Sequence, residues 1–373
     1  MGIKRFLRNK NFDYILFLIT LACVVFGCVA ISSAVRSYDS GLKFIVIQIC
    51  AAMAGFVMMF VISSINYEKY SLYTGFIYTL CILFLIAVLI FGTGREATGS
   101  KSWIRFGPVG IQPSEIVKIG FIITFSNLCS KYGEDLNKSK NIIMLCLHAF
   151  ILLFLIMLQP DFGTTMVFII IFAGILFVAG ISYKYVIPTI CTVLISIPII
   201  WNFFLAQYQK NRISVLFNPE KDPLGSGYHV MQSKIAIGSG GILGKGFGKG
   251  TQTQLDYLPV KHTDFIYSVI GEEFGIIGSL LVAVLLFGLV IRCIYISKKS
   301  KDSFGTYICV GVACMFMAHI FENIGMCIGI MPVTGIPLPF FSYGGSSMIT
   351  NLMAVGLVMS VSRRKNKIHF DRL

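Results

Sequence analysis

Apolar positions in this chain come in long unbroken runs rather than at helical or strand intervals. Runs of about 20 apolar residues recur along the length, and such a run crosses a hydrocarbon core of roughly 30 Å as a helix. Ten spans are predicted, at about 13–34, 42–64, 71–92, 112–130, 141–158, 162–181, 184–205, 265–296, 304–329 and 344–361. Gly and Pro fall inside several of them, which membrane helices tolerate when neighbours re-satisfy the backbone. The first run lacks a small-residue cleavage site and is followed by many more, so it reads as a span rather than a cleaved signal. The expected fold is an all-α polytopic membrane protein, a single integral-membrane domain over 1–373. Its one large extracytoplasmic loop, 206–264, lies between spans seven and eight.

Composition agrees: 56% of the 373 residues are hydrophobic and 13% charged, with mean hydropathy +0.80. Soluble domains do not look like this, so the core is the bundle itself. Basic residues set the orientation. Lys4, Arg5, Arg8 and Lys10, then Lys131, Lys138 and Lys140, then Lys298, Lys299 and Lys301, then Arg363, Arg364, Lys365 and Lys367 all fall on one side if there are ten spans. Both termini are therefore expected in the cytoplasm, with the loops 93–111 and 206–264 on the outer face of the cytoplasmic membrane.

The net charge of +14 has a second origin. Arg95, Lys101 and Arg105 lie in one outer loop, and Lys210, Arg212, Lys221, Lys234, Lys245, Lys249 and Lys261 in the other. An anionic partner at the outer face accounts for them, as does attraction to lipid headgroups. No nucleic-acid partner is expected. The eleven Cys lie mostly inside spans without a CxxC pair or metal spacing, and read as small buried hydrophobes.

Chemistry concentrates in a few segments. In Leu258–Tyr267, Asp264 follows Lys261, His262 and Thr263 where the long polar loop meets an apolar helix. Ionisable groups at membrane depth are costly and usually functional. Trp103 and Arg105 precede Gln112-Pro113-Ser114-Glu115, and Lys118 stands one helical turn after Glu115, close enough to pair. Asp161 opens span six, as a helix cap or as a substrate or metal group. The stretch 238–250 is glycine-rich with two lysines. It is a flexible loop or an anion cradle, and it is not a Walker A loop. The stretch 329–347, with Ser342, Gly344 and Gly345, is too rich in Pro and Gly to be helical. At membrane depth it would have to line a cavity.

These segments, in this order, resemble the SEDS family (shape, elongation, division and sporulation). The resemblance runs through Trp103–Lys118, Gln159–Thr164, Gly227–Glu273 and Pro332–Ser347, and so covers all but the first two spans. Asn323-Ile324-Gly325-Met326 leading into Pro332–Phe340 is similar to the family's rod-elongation branch more than to its division branch. The resemblance implies the ten-helix family fold and a peptidoglycan glycosyltransferase that polymerises lipid II at the outer face of the cytoplasmic membrane. It also implies a class B penicillin-binding protein as transpeptidase partner. The family's essential Asp falls on Asp264 and its loop Trp on Trp103. Where the family usually has Glu after Leu-Pro, this chain has Val260, which shifts weight onto Asp264.

The mechanism expected is an inverting displacement of undecaprenyl pyrophosphate with Asp264 as general base. Arg105, Lys118, Arg212, Lys234 and Lys245 are the cations expected to steady the leaving group, with His262 beside Asp264. Trp103 is expected to stack on a sugar or the lipid stem. A divalent cation, Mg or Mn, held by Asp161 and Asp264, is the cofactor considered. Glu115, Asp161 and Glu272 are expected to shape the cavity, together with Ser342, Gly344 and Gly345. Glu272 and Glu273 lie two turns inside span eight, and neither is expected to act as base. A lipid II flippase and a non-catalytic scaffold are the rival classes. The lack of repeat symmetry and the one-sided chemistry weigh against the flippase.

Overall fold

Helix boundaries follow local chemistry. The first helix, α1 (Tyr14–Ala34), starts where the Asp13 carboxylate accepts the Leu16 N–H at 3.0 Å. In this computed structural model the described residues are 12–93, 102–106, 109–204, 207–223 and 225–364. The predicted basic positions Lys4, Arg5, Arg8, Lys10, Arg95, Lys101, Lys365 and Lys367 lie outside the described residues, as does the junction of span seven with its loop at 205–206.

After α1 come α2 (Gly41–Ser64), a 3-10 turn Tyr67–Tyr73 and α3 (Thr74–Phe91). A short antiparallel hairpin follows, β1 (Ile104–Phe106) with β2 (Val109–Ile111), placing Arg105 opposite Gly110. It leads into α4 (Pro113–Tyr132), whose Pro113 occupies the first turn, where no backbone N–H is missed. Next are α5 (Ser139–Met157), α6 (Phe162–Ala179) and α7 (Tyr183–Ile199). The long loop after α7 is itself largely helical, with α8 (Gln207–Phe217), α9 (Ser226–Ser239) and α10 (Thr251–Gln254). The chain finishes with α11 (Ile266–Lys298), α12 (Ser303–Ile328) and α13 (Gly345–Ser362).

Among the described residues, nine helical segments are long and apolar enough to cross a membrane, and the chain is a multi-pass membrane protein. The tenth predicted span is α4, which is long enough but too polar to join that set. It carries Glu115, Lys118, Thr124, Ser126 and Asn127, all buried inside the bundle. A charge there is tolerated only when paired away from lipid. Helix α4 packs against α3, α12 and α13, while α13 lies along α2. Gly356 makes that last approach possible, since a Cβ there would sit 2.7 Å from the Met59 carbonyl oxygen. By contrast, α7 buries none of its residues in the bundle.

The glycine-rich run departs from the anion-cradle expectation. Helix α11 breaks at Gly275, where φ is 66°. The break is repaired by the loop, in both directions. Lys245 N and Gly246 N each donate to the carbonyls of Glu272 and Glu273 at 3.0 Å, while Ile276 N and Ile277 N donate to Gly241 O (2.9 Å) and Ile242 O (3.3 Å). Two of the loop's amides are thus spent on a helix that would otherwise hold bare carbonyls, rather than on a ligand.

Candidate active site

The segment carrying Asp264 is held from three sides by its own backbone. Tyr343 N donates to the His262 carbonyl at 2.8 Å, Ser342 Oγ to the Thr263 carbonyl at 2.6 Å, and Asn323 Nδ2 to the Asp264 carbonyl at 2.8 Å. Asn323 also donates to Ile336 O at 2.8 Å, so α12 ties both segments together. The Pro- and Gly-rich stretch after α12 is non-helical as predicted, and residues Leu338 and Phe340–Ser342 within it are buried. Polar backbone in an irregular buried segment must find partners, and here the partners are the carbonyls of the Asp264 segment.

Asp264 opens onto a cavity of about 1,090 Å³. One wall is the hairpin and the helix starts beside it: Trp103, Arg105, Gln112, Glu115 and Asp161. A second wall comes from α8 and α9 with the turn between them: Arg212, Asp222, Ser226 and His229. The third carries Phe44, His262, Tyr343, Gly344 and Gly345, and Thr334, Gly335 and Pro337 also line the cavity, with Gly335 next to Asp264.

Burial pushes the Asp264 carboxyl up to about 6, against the opposing pulls of the Thr263 hydroxyl and the Arg212 charge. Burial first, then the nearby Lys261 charge, hold His262 down at about 4, so its ring is neutral at ordinary pH. That ring packs edge-on to Phe44 and Tyr38, with centroids at 5.2 and 5.5 Å. The Asp161 carboxyl is also raised by burial, partly offset by the Thr164 N–H and by Lys118.

Of the predicted site residues, the fold gathers Trp103, Arg105, Glu115, Asp161, Arg212, His262, Asp264, Gly344 and Gly345 around this cavity. Lys118 lies behind the wall, where its ammonium sits 2.8 Å from both Glu115 Oε1 and His319 Nε2. Ser342 also lies behind, as a backbone tie. Asp161 caps α6 through Thr164 N at 3.1 Å. Lys234, Lys245 and Glu272 are not part of the lining, which corrects their expected place. Lys234 lies over Gly329, where an added Cβ would meet its Cε at 2.1 Å. Lys245 is spent on neutralising the buried Glu272, 2.8 Å away. Glu272 also accepts from Gln252 N at 2.9 Å and from Thr253 N at 3.0 Å, so it caps α10 rather than facing the cavity.

The sequence reading missed Phe44, Asp222, Ser226, His229 and Thr334. His229 lies on α9, where it joins the cavity lining. Phe44 gave no signal, being one aromatic at the start of an apolar run.

Asp161 and Asp264 share the cavity, but among the described residues no group of three or more acidic, His or Cys side chains is placed to hold a metal ion. Both Asp161 oxygens already accept hydrogen bonds, from Thr164 N and from Gln112 Nε2 at 3.0 Å. These two carboxylates, so placed, do not fit a resident divalent ion.

A helical membrane bundle with a cavity that holds a carboxylate together with Arg105 and Arg212 defines a polytopic membrane protein with a charged candidate active site. Comparison with known proteins narrows this. The model of the FtsW/RodA/SpoVE family, described as cell cycle protein, matches residues 10–367, and the chain belongs to that family. It is 36% identical to the peptidoglycan glycosyltransferase MrdB of Escherichia coli K12 over 365 residues, 98% of this chain and 97% of that one. It is likewise 36% identical to stage V sporulation protein E of Bacillus subtilis, over 95% of this chain and 98% of that one. A chain in a structure described as a peptidoglycan synthase complex coordinating polymerization and crosslinking superposes with a TM-score of 0.80 at 29% identity, covering 94% of this chain and 98% of that one. The rod shape determining protein RodA of Thermus thermophilus shares the fold, with a TM-score of 0.72 at 24% identity over 95% of this chain and 98% of that one.

Proposed function

We infer that this protein, a peptidoglycan glycosyltransferase, polymerises lipid II at the outer face of the cytoplasmic membrane during cell elongation, with Asp264 as general base. The family and its named glycosyltransferase relatives support the activity. The observation that carries the mechanism is the placement of Asp264, desolvated and carbonyl-tethered, in a cavity shared with Arg105 and Arg212.

The acceptor sugar hydroxyl attacks the anomeric carbon of the donor. Its proton passes to the Asp264 carboxylate as the new O–C bond forms. The bond from the anomeric carbon to the phosphate oxygen breaks, and undecaprenyl pyrophosphate leaves with the electron pair. A carboxylate tuned upward towards the working pH is a better base than an ordinary one. The leaving diphosphate gains charge, and Arg212 and Arg105 are the cavity cations fitted to steady it. Trp103 offers a flat face for a sugar ring. A class B penicillin-binding protein is the proposed partner, in keeping with the synthase complex that contains a similar chain. Both termini are proposed to be cytoplasmic.

The test is polymerisation of labelled lipid II by purified protein, with the partner present and its transpeptidase serine removed. Polymer from wild type and none from Asp264→Ala or Asp264→Asn, with lipid II still bound, is the expected result. Undiminished polymer from both variants would remove Asp264 as base. No polymer from a folded wild-type complex would favour the flippase or scaffold classes.

A further inference from the structure

Two residues just before Asp264 stand in the left-handed region without being glycine: Asp256 at φ 57° and Val260 at φ 50°. For a β-branched residue such as Val260 this conformation is a true outlier. Such strain costs about 1–3 kcal/mol per residue and persists only where the surroundings over-determine it. The Val260 carbonyl is what the strained turn presents, and it accepts from Thr263 N and Asp264 N at 3.2 Å each.

Between the two strained residues and Asp264 sits Lys261, fully buried. A buried ammonium is costly unless every donor is used. Here three donors meet three acceptors. Lys261 Nζ reaches Ser37 Oγ at 2.7 Å, and also the Thr253 carbonyl and Asp256 Oδ1. The Tyr38 ring lies 4.8 Å from the same nitrogen. Thr253 is in turn fixed to Glu272 through its N–H and, at 2.8 Å, its hydroxyl. The buried ammonium thus joins the turn after α1, the α10 segment and the strained loop.

We propose that Lys261 is a positioning residue for Asp264, its buried ammonium pinning the loop 256–264 in the strained shape that turns the Asp264 carboxylate into the cavity. The inference rests on the reading of Asp264 as base. Lys261 is not part of the cavity lining; its charge bears on His262, and it reaches Asp264 through the loop. Arg105, Glu115, Asp161, Arg212, Asp222, His229 and His262 share the cavity with Asp264, while the ammonium bonds to Ser37, Thr253 and Asp256.

The experiment measures kcat, KM for lipid II and the pH profile of kcat for Lys261→Met and Lys261→Arg in the full-length protein with its partner. Displacement of a catalytic group by about 1 Å costs about a hundredfold in rate, and that loss in kcat with KM unchanged is expected of Lys261→Met. Its acidic limb is expected to move below the wild-type position near pH 6, because a loosened loop re-solvates Asp264. Lys261→Arg, keeping the charge, is expected to recover part of kcat. Should Lys261→Met fail to fold, Ser37→Ala removes one acceptor and Asp256→Ala the other side-chain acceptor at the exposed rim, and both are expected to shift kcat and the limb the same way by less. Wild-type kcat in all of these, or a lower kcat with an unmoved limb, overturns the positioning role. Activity in Asp264→Asn overturns the base itself, so the two failures are distinct.

Discussion

Ser342 Oγ donates to the Thr263 carbonyl at 2.6 Å, and the same hydroxyl accepts from Leu338 N at 2.8 Å. One buried hydroxyl therefore joins the irregular Pro- and Gly-rich segment to the residue just before the proposed base. Ser342→Ala leaves a buried carbonyl and a buried N–H without this partner, at about 1–3 kcal/mol. A lower Tm in detergent is expected, with kcat reduced more than KM. Wild-type kcat in Ser342→Ala would show that Asp264 keeps its place without this tie.

The pH profile follows from burial. The Asp264 carboxyl is raised to about 6, so kcat is expected to climb as pH rises through 6 and to level off above it. Arg212 opposes that rise, so Arg212→Gln is expected to move the limb to higher pH. A profile flat from pH 5 to 8 would argue against a buried carboxylate base.

The same shift has a stability sign. A carboxyl raised on folding favours the folded state at low pH, and that contribution is lost as pH rises through the folded value near 6. At neutral pH the ionised, desolvated Asp264 is a cost. Asp264→Asn is therefore expected to have an equal or higher Tm than wild type while losing activity. A marked fall in its Tm would show that the carboxylate holds the fold together.

Gly275 is where α11 breaks, and a Cβ there would lie 2.4 Å from Gly244 N and 2.5 Å from Ile242 O. Both the left-handed φ and the close approach demand glycine. Gly275→Ala is expected to cost roughly 2 kcal/mol or more, read as a lower Tm and as protease sensitivity in the 240–250 loop. An unchanged Tm would mean that the loop does not depend on this close packing.

Chelation separates a resident ion from a substrate-borne one. Since the described residues fall short of a metal site, EDTA is expected to leave the Tm of substrate-free protein unchanged. A fall of several degrees, reversed by Mg or Mn, would establish a protein-held ion.

The approximate limits of nine spans were legible because lipid imposes a strong one-dimensional rule: a span must be apolar for about 20 residues. Asp264, Trp103 and the Gln159–Thr164 cap stood out for the matching reason, as polar groups where polarity is costly. The buried Glu115–Lys118 pair was legible too, because one helical turn fixes it locally. What the sequence left open was direction. Lys118, Lys234, Lys245 and Lys261 are all basic residues close to unusual motifs. Only the fold decides that Lys118 meets His319, that Lys245 meets Glu272 and that Lys261 turns back to Ser37. Nor does local spacing reveal that the glycine run pairs with a broken helix some 30 residues on. Contacts between distant segments depend on which helices pack together, and that is settled by burial summed over the whole bundle rather than by any neighbouring residue.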